Sequence, residues 1–274
     1  MPDTAQPQTR RLQVRHETVY HYDNPVPWGL LQLRLAPKSH RAQRILHWTF
    51  HLDGAREEAA FEDQHRNTVR LVSMEPGASR LSVTVEGEVE VTDTVGVLGP
   101  HGGFCPLWLF ARPTPRTEAG PECMRLIATV APEANALSRL HSLSAAVGQA
   151  VQWQHGTSDV TWTAEEALTA GRGVCQDQAH VFIACARAMG IPARYVSGYL
   201  LMDSAQQDAS HAWAEAWIPD LGWVGFDVAN GISPDARYVR VATGLDYSEA
   251  APVSGARHGT GGERLTVAVE VRAQ

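Results

Sequence analysis

The sequence predicts an α+β fold: an amino-terminal antiparallel β-sandwich-like domain, then a helix packed on a second antiparallel sheet. Three features of the chain point there. Apolar and polar residues alternate in short segments through the first third. From residue 137 the apolar residues step by three or four. A long apolar run after Cys175 keeps helical spacing and is followed by two more alternating segments.

In order, RLQVRHETVYHY sets Leu12, Val14, His16, Thr18, Tyr20 and Tyr22 on one parity. LLQLRLA alternates Leu31, Leu33 and Leu35 with Gln32 and Arg34. ILHWTFHLDG aligns Leu46, Trp48, Phe50 and Leu52 and turns at Asp53-Gly54. RLSVTVEGEVEV aligns Leu81, Val83, Val85, Val89 and Val91. Short alternating strands separated by turn signals read as a sandwich. Residues 96–121 are rich in Gly and Pro without a sustained period, which predicts a linker or boundary between a β domain (1–95) and a second domain (122–250). In the second domain Leu137, Leu140, Leu143, Val147, Ala150 and Val151 predict a helix. Thr163 and Glu166 have capping-box spacing, and Gly171 ends the short helix that they start. The last segment (251–274) returns to strand period through Leu265, Val267, Val269 and Val271 and is expected to pair back onto a sheet.

Composition bounds the function. The 274 residues are 44% hydrophobic and 19% charged, enough for a core without staples. The net charge of −7 argues against a nucleic-acid binder. Cys105, Cys123, Cys175 and Cys185 show no CxxC or tight pairing, which fits a reducing compartment. The amino-terminal MPDTAQPQTRRLQVRH lacks a signal-peptide apolar run, and no stretch is long and apolar enough to span a membrane, so a cytoplasmic protein is expected.

The chemistry centres on GRGVCQDQAHVFIACARAMGIPARYVSGY. Phe182, Cys185, Ala186 and Met189 make a helical stripe that runs back through Ala179 to position 175, and Gly190-Ile191-Pro192 stops it. Cys175 therefore falls in the first helical turn. Unpaired N–H groups and the positive end of the helix dipole favour a thiolate there and can hold an oxyanion. A merely buried Cys175 is the alternative that helix position alone leaves open; Cys185, mid-stripe, reads as core.

A nucleophilic Cys needs a base, and the base an orienter. SHAWAEAWIPDLGWVGFDVANG reads as two strands joined at Pro219–Gly222. His211, Trp213, Glu215 and Trp217 share one face of the first strand; Ala212, Ala214, Ala216 and Ile218 share the other, which admits a closely packed helix. If 217 pairs with 223, then 213 opposes 227, and His211 lies diagonally within reach of Asp227. A one-residue slip would part them. The spacing permits a Cys175–His211–Asp227 triad.

At these residues the chain resembles the bacterial transglutaminase-like family, whose members are described as candidate cysteine proteases. GVCQDQAHVFIACARAMGIPARYVSGYL is similar to its nucleophile segment and SHAWAEAWIPDLGWVGFDVANG to its His and Asp segments. DVTWTAEEAL and YVRVATGLDYSEAAPVSG resemble flanking blocks, and YHYDNPV…LRLAPKSHRAQ the family's amino-terminal β domain. The resemblance implies a papain-like core with the triad on Cys175, His211 and Asp227. It implies a thiol-dependent acyl transferase acting on peptide, isopeptide or glutamine amides through a thioester, hydrolysis favoured, without cofactor or metal. A non-catalytic peptide-binding module on the same fold is the rival. The chain departs from the family at Gln178, where an aromatic is common, at Val228-Ala229 in place of Pro-Thr, and at Arg66, where glycine usually precedes Asn67.

Other expectations are structural. Asp177 and Arg194 are expected to pair. His180, five residues beyond Cys175, reads as packing. Trp213, Trp217, Trp223 and Gln178 are candidate substrate contacts, with the three Trp equally able simply to cover the sheet. Glu215 reads as a solvated charge, or a group for a substrate amine. His47 and His51 are spaced for ligands on a helix but fall in a strand, so metal binding is not expected. Nothing in the chain indicates an oligomeric state.

Overall fold

Alternation becomes strands along the first third of the chain. The structure, a computed structural model, describes residues 8–133 and 135–274. Residues 1–7, the start of the stretch read for an apolar leader, lie outside the described residues. The strands are β1 (Thr9–Val26), β2 (Trp28–Ala36), β3 (Gln43–Asp53), β4 (Ala55–Glu62), β5 (Thr68–Met74), β6 (Ala78–Thr92) and β7 (Val97–Gly99). Helices α1 (Pro121–Thr129) and α2 (Ala136–Ala150) follow, then β8 (Gln152–Trp153), α3 (Ala164–Ala170), β9 (Arg172–Gly173) and α4 (Cys175–Ala188). The rest is β10 (Ala193–Leu200), β11 (Gln206–Gln207), β12 (His211–Ile218), β13 (Gly222–Phe226), β14 (Tyr238–Gly244), α5 (Tyr247–Ala250), β15 (Val253–His258) and β16 (Glu263–Ala273).

One sandwich sheet has the order β11-β16-β1-β6-β3 and the other β15-β2-β5-β4; a third sheet, β14-β10-β12-β13-β7, carries the candidate chemistry. The carboxy-terminal strand pairs with β1 from Tyr22↔Glu263 to Leu12↔Ala273, and β15 pairs with β2. Residues 251–274 are thus no separate tail but part of the sandwich, covering edges that β1 and β2 would otherwise expose. Nor are residues 96–121 a linker. Within them β7 is the edge strand beside β13, and Phe110 is buried against Trp223 at 5.2 Å between ring centroids. A three-residue strand has no period to read. β4, nearly all exposed, carries no apolar alternation either.

The two halves share a core. β1 and β6 are long enough to serve both: Val83 and Val85 pack with Leu33 and Val72 of the facing sheet. Leu12, Val14, Val89 and Val91 instead pack in the cluster that holds α4 and Ala212, Ala214 and Ala216. The predicted boundary at residue 95 therefore separates no cores. Two amides fasten the free edge of β14. Gln43 pairs with the backbone of Arg240, both bonds 2.8 Å, and Asn67 with that of Thr243 at 2.7 and 2.9 Å. The Asp63–Asn67 turn that delivers Asn67 puts Arg66 at φ 62, a left-handed conformation that glycine adopts more readily. That is the physical content of the departure at Arg66.

Candidate active site

The nucleophile segment is built by successive caps. Thr163 and Glu166 form the expected capping box on α3, and Gly171 closes it at φ 65. β9 pairs in parallel with β8, and Val174 stays extended before α4 begins at Cys175. Asp177, in the first turn, accepts from the Val174 N–H at 2.7 Å and the Ser158 hydroxyl at 2.6 Å. Burial raises its pKa against those bonds. A Cβ at Gly173 would meet the Asp177 side chain at 2.7 Å, so this approach requires glycine. The expected Asp177–Arg194 pair is absent: Asp177 is committed to its own loop, and Arg194 pairs with Glu215.

Beyond its first turn α4 is buried, with Ala179 and Val181 to Ala186 in the core. It packs on the small-residue face of β12, so Cys175 sits at the start of a buried helix that meets solvent only at its two ends. Arg187, also buried, anchors the far end by donating to the carbonyls of Phe110, Ala193 and Leu245.

The strand register brings the other two groups in. Trp217 pairs with Trp223 and Ala214 with Phe226, the register that the parity requires. Asp227 leaves β13 and bridges Ile232, which turns its carboxylate back towards the start of β12. His211 Nε2 donates to Asp227 Oδ2 at 2.7 Å. Asp227 is fully buried and also accepts from Tyr238 Oη at 2.7 Å, from Asn230 Nδ2 at 2.7 Å and from the Asn230 N–H at 3.3 Å. Cys175, at the start of α4, lies close enough to the His211 ring to help raise its pKa. With Nε2 committed to Asp227, Nδ1 is left for the thiol.

The electrostatics favour charge on His211 and on Asp227. Burial alone would lower the His211 pKa, but the bond to Asp227 and the neighbouring Asp227 and Cys175 groups outweigh it and push it up to about 10. Burial likewise works against the Asp227 carboxylate, and the bonds from His211, Asn230 and Tyr238 overcome it, holding its pKa below the ordinary value. Tyr238 and Asn230 escaped the sequence reading. Asn230 carried a signal: an Asn three residues after Asp227, before glycine, is placed for a side-chain turn. Tyr238, eleven residues on at a strand start, carried none. Tyr238→Phe keeps the ring packed on Trp213 and removes one donor. It is expected to cost about 1–2 kcal/mol, read as a lower urea midpoint at constant slope; an unchanged midpoint would show that the bond contributes nothing.

The remaining candidates lie elsewhere. Trp213 is buried, stacked on His211 at 6.2 Å and against Tyr238. Trp223 is buried beneath Phe110 and His101, and Trp217 packs with it, half-buried. These rings cover the outer face of the sheet, where Trp223 also lines a cleft beside Arg194. Gln178 is also buried, its amide donating to Val151 O at 2.8 Å, and Val228 packs near Gly148. Both departures thus adjust the α2 contact. Glu215 is not solvated but wholly buried, held by Arg194 and Arg240 at 2.6 Å each. His180 packs in the core, with Nε2 accepting from the Tyr247 N–H at 3.1 Å. Cys185 is buried core. His47 and His51 lie on the exposed side of β3. Among the described residues no three His, Cys, Asp or Glu side chains group as metal ligands, and no helix is long and apolar enough to cross a membrane.

Known proteins resemble this chain in sequence and in fold. Residues 125–228 match the family model of the transglutaminase-like superfamily, and residues 12–90 that of the bacterial transglutaminase-like N-terminal region. An uncharacterized protein of Mycobacterium leprae is 28% identical over 296 residues, covering 95% of this chain and 98% of its own. A protein-glutamine gamma-glutamyltransferase of Pseudomonas aeruginosa is 34% identical over 89 residues, which is 28% of this chain and 12% of that protein. The crystal structure of a candidate cysteine protease from Cytophaga hutchinsonii has the same fold, with a TM-score of 0.77 at 22% identity over 98% of this chain and 92% of that one.

Proposed function

Because residues 125–228 belong to the transglutaminase-like superfamily and residues 12–90 to the bacterial transglutaminase-like N-terminal region, we propose that the chain is a thiol-dependent acyl-transfer enzyme using Cys175, His211 and Asp227. The observation that carries the reading is the His211 ring, bonded through Nε2 to buried Asp227 at 2.7 Å and neighboured by the Cys175 thiol at the start of α4. His211 takes the Cys175 proton and holds the thiolate as an ion pair. The thiolate attacks the carbonyl carbon of a peptide, isopeptide or glutamine amide. The oxyanion that forms is favoured by the free N–H groups and dipole of the first α4 turn. His211 passes its proton to the leaving nitrogen, the C–N bond breaks, and a thioester remains on Cys175. Water, deprotonated by His211, then releases the acid; an amine in its place would give transamidation. Cys175 is partly exposed, so water reaches the thioester, which favours hydrolysis.

Iodoacetamide near neutral pH tests the reading. Cys123 and Cys185 are buried, and burial raises the Cys105 pKa, so these three are expected to react slowly whatever Cys175 does. The informative comparison is Cys175 in the folded chain against Cys175 in urea. Peptide mass mapping is expected to show the folded thiol reacting faster despite its partial burial. A folded rate equal to or below the unfolded one would contradict activation and leave a peptide-binding module on this fold.

A further inference from the structure

On the face of the third sheet away from α4 lies a cleft of about 410 Å³. Its lining includes Arg194 of β10 and Arg240 of β14, together with residues 37–40, which join β2 to β3 in the sandwich. Arg194 stands opposite Glu215 in the strand register, on the side of β12 that α4 does not cover.

The charges in this cleft do not cancel. Glu215 is the only carboxylate that Arg194 and Arg240 contact among the described residues, and both its oxygens are taken by their Nε and Nη2 donors. Among the described residues, Arg194 Nη1 and Nη2 and Arg240 Nη1 donate to no protein acceptor, and none of them is sealed from solvent. Lys38 spends two N–H groups on His65 O at 3.0 Å and Asn67 Oδ1 at 3.3 Å, which leaves a third. Burial and the charges of Arg240 and Arg194 push its pKa down to about 7. His40 Nδ1 accepts from the Ala42 N–H, so the neutral ring carries its proton on Nε2, a buried donor with no partner among the described residues. At the rim, Glu62 faces Arg66 at 3.8 Å. Deeper in, Arg194, Arg240 and Lys38 face two carboxylates, Glu215 and Asp63, and Asp63 is itself paired with Arg34.

We propose that this cleft binds a small molecule through a carboxylate or phosphate group held by Arg194, Arg240 and Lys38. Guanidinium forks match the paired oxygens of either group, and Trp223, with the Arg194 guanidinium 3.8 Å over its ring, keeps that fork in plane. Uncompensated positive charge at a largely buried site is costly, and an oxyanion relieves it. The volume exceeds a bare ion and suits a metabolite-sized ligand. Because the cleft joins the β2–β3 connection to the third sheet, its ligand spans the sandwich and the catalytic half.

The test is calorimetric titration of the full chain with inorganic phosphate and with citrate at constant ionic strength, using chloride as the reference. The expected result is saturable binding of at least one anion, the stronger of the two identifying the group recognised. Lys38→Met is expected to weaken it by about tenfold or more, read at a temperature where circular dichroism shows the variant folded, because it also loses the bonds to His65 O and Asn67 Oδ1. Cys175→Ser should bind as wild type, so failure here and failure of the thiol chemistry are told apart. Heats no larger than those of chloride, or a Lys38→Met variant that binds like wild type, would overturn the proposal.

Discussion

Replacing His211 with alanine is expected to slow alkylation of Cys175 near neutral pH by about 10²-fold or more, and turnover of an amide substrate by about 10³–10⁴-fold. The variant loses both the ion-pair partner of the thiolate and the acid that frees the leaving nitrogen. The pH profile separates that role from a structural one. In the wild type, protonated His211 is favoured up to about pH 10, so rapid alkylation and turnover should persist across neutral pH. Turnover should fall as pH rises through about 10, because the leaving group then loses its acid. In His211→Ala that alkaline limb should vanish, and alkylation should rise with pH as for an ordinary thiol. The same pair contributes stability with a defined sign. A pKa raised from about 6.5 to about 10 means that the fold holds the proton more tightly than the unfolded chain. The stabilisation is thus complete below about pH 6.5 and lost as pH rises through about 10. An alkylation rate that His211→Ala leaves unchanged would remove the base from the mechanism.

Replacing Glu215 with glutamine is expected to cost about 3–5 kcal/mol of stability. Glu215 has no solvent exposure, and each guanidinium facing it is only 12% exposed, so water compensates for little of a lost pair. Burial raises the Glu215 pKa, but the charges of Arg194 and Arg240 overcome it and bring it down to about 2. The stabilisation is therefore present above about pH 4.5 and lost as pH falls through about 2. Urea unfolding at pH 7 reads the effect, and Arg194→Met in the Glu215→Gln background should recover part of it, because the two sites are in contact. A change under about 1 kcal/mol would mean that the network is solvated.

How much of this was legible follows from where the information lies. The two faces of SHAWAEAW were readable because a strand's period is local: the alanines face α4, and His211 starts the other parity. The register followed from the short turn at Pro219–Gly222, which leaves few pairings. The helix start at Cys175 followed from its stripe and from the stop at Gly190. Long-range partners were not readable. No local pattern tells β16 that it belongs beside β1, 240 or so residues earlier by the chain-reading logic of nearest turns. Asp177 and Arg194 are a plausible ion pair on composition, yet the helix-start geometry gives Asp177 the Val174 N–H, and the strand register gives Arg194 to Glu215. Glu215 was misread because an alternating strand normally points its charges to water; here β10 and β14 supply two arginines on the same face. Tyr238 reaches Asp227 only because β14 and β12 both flank β10, a fact of sheet order rather than of any segment.

The central claim is that sulfur and imidazole form an ion pair supported by Asp227, and the protonation state of His211 tests it most directly. Nitrogen-15 NMR of the ring through a pH titration is predicted to show both nitrogens protonated well above neutral pH, with the midpoint near 10. In Cys175→Ala and in Asp227→Asn the midpoint should fall. A wild-type ring that loses its proton near pH 6.5, with the same midpoint in both variants, would contradict the ion pair and the enzyme built on it.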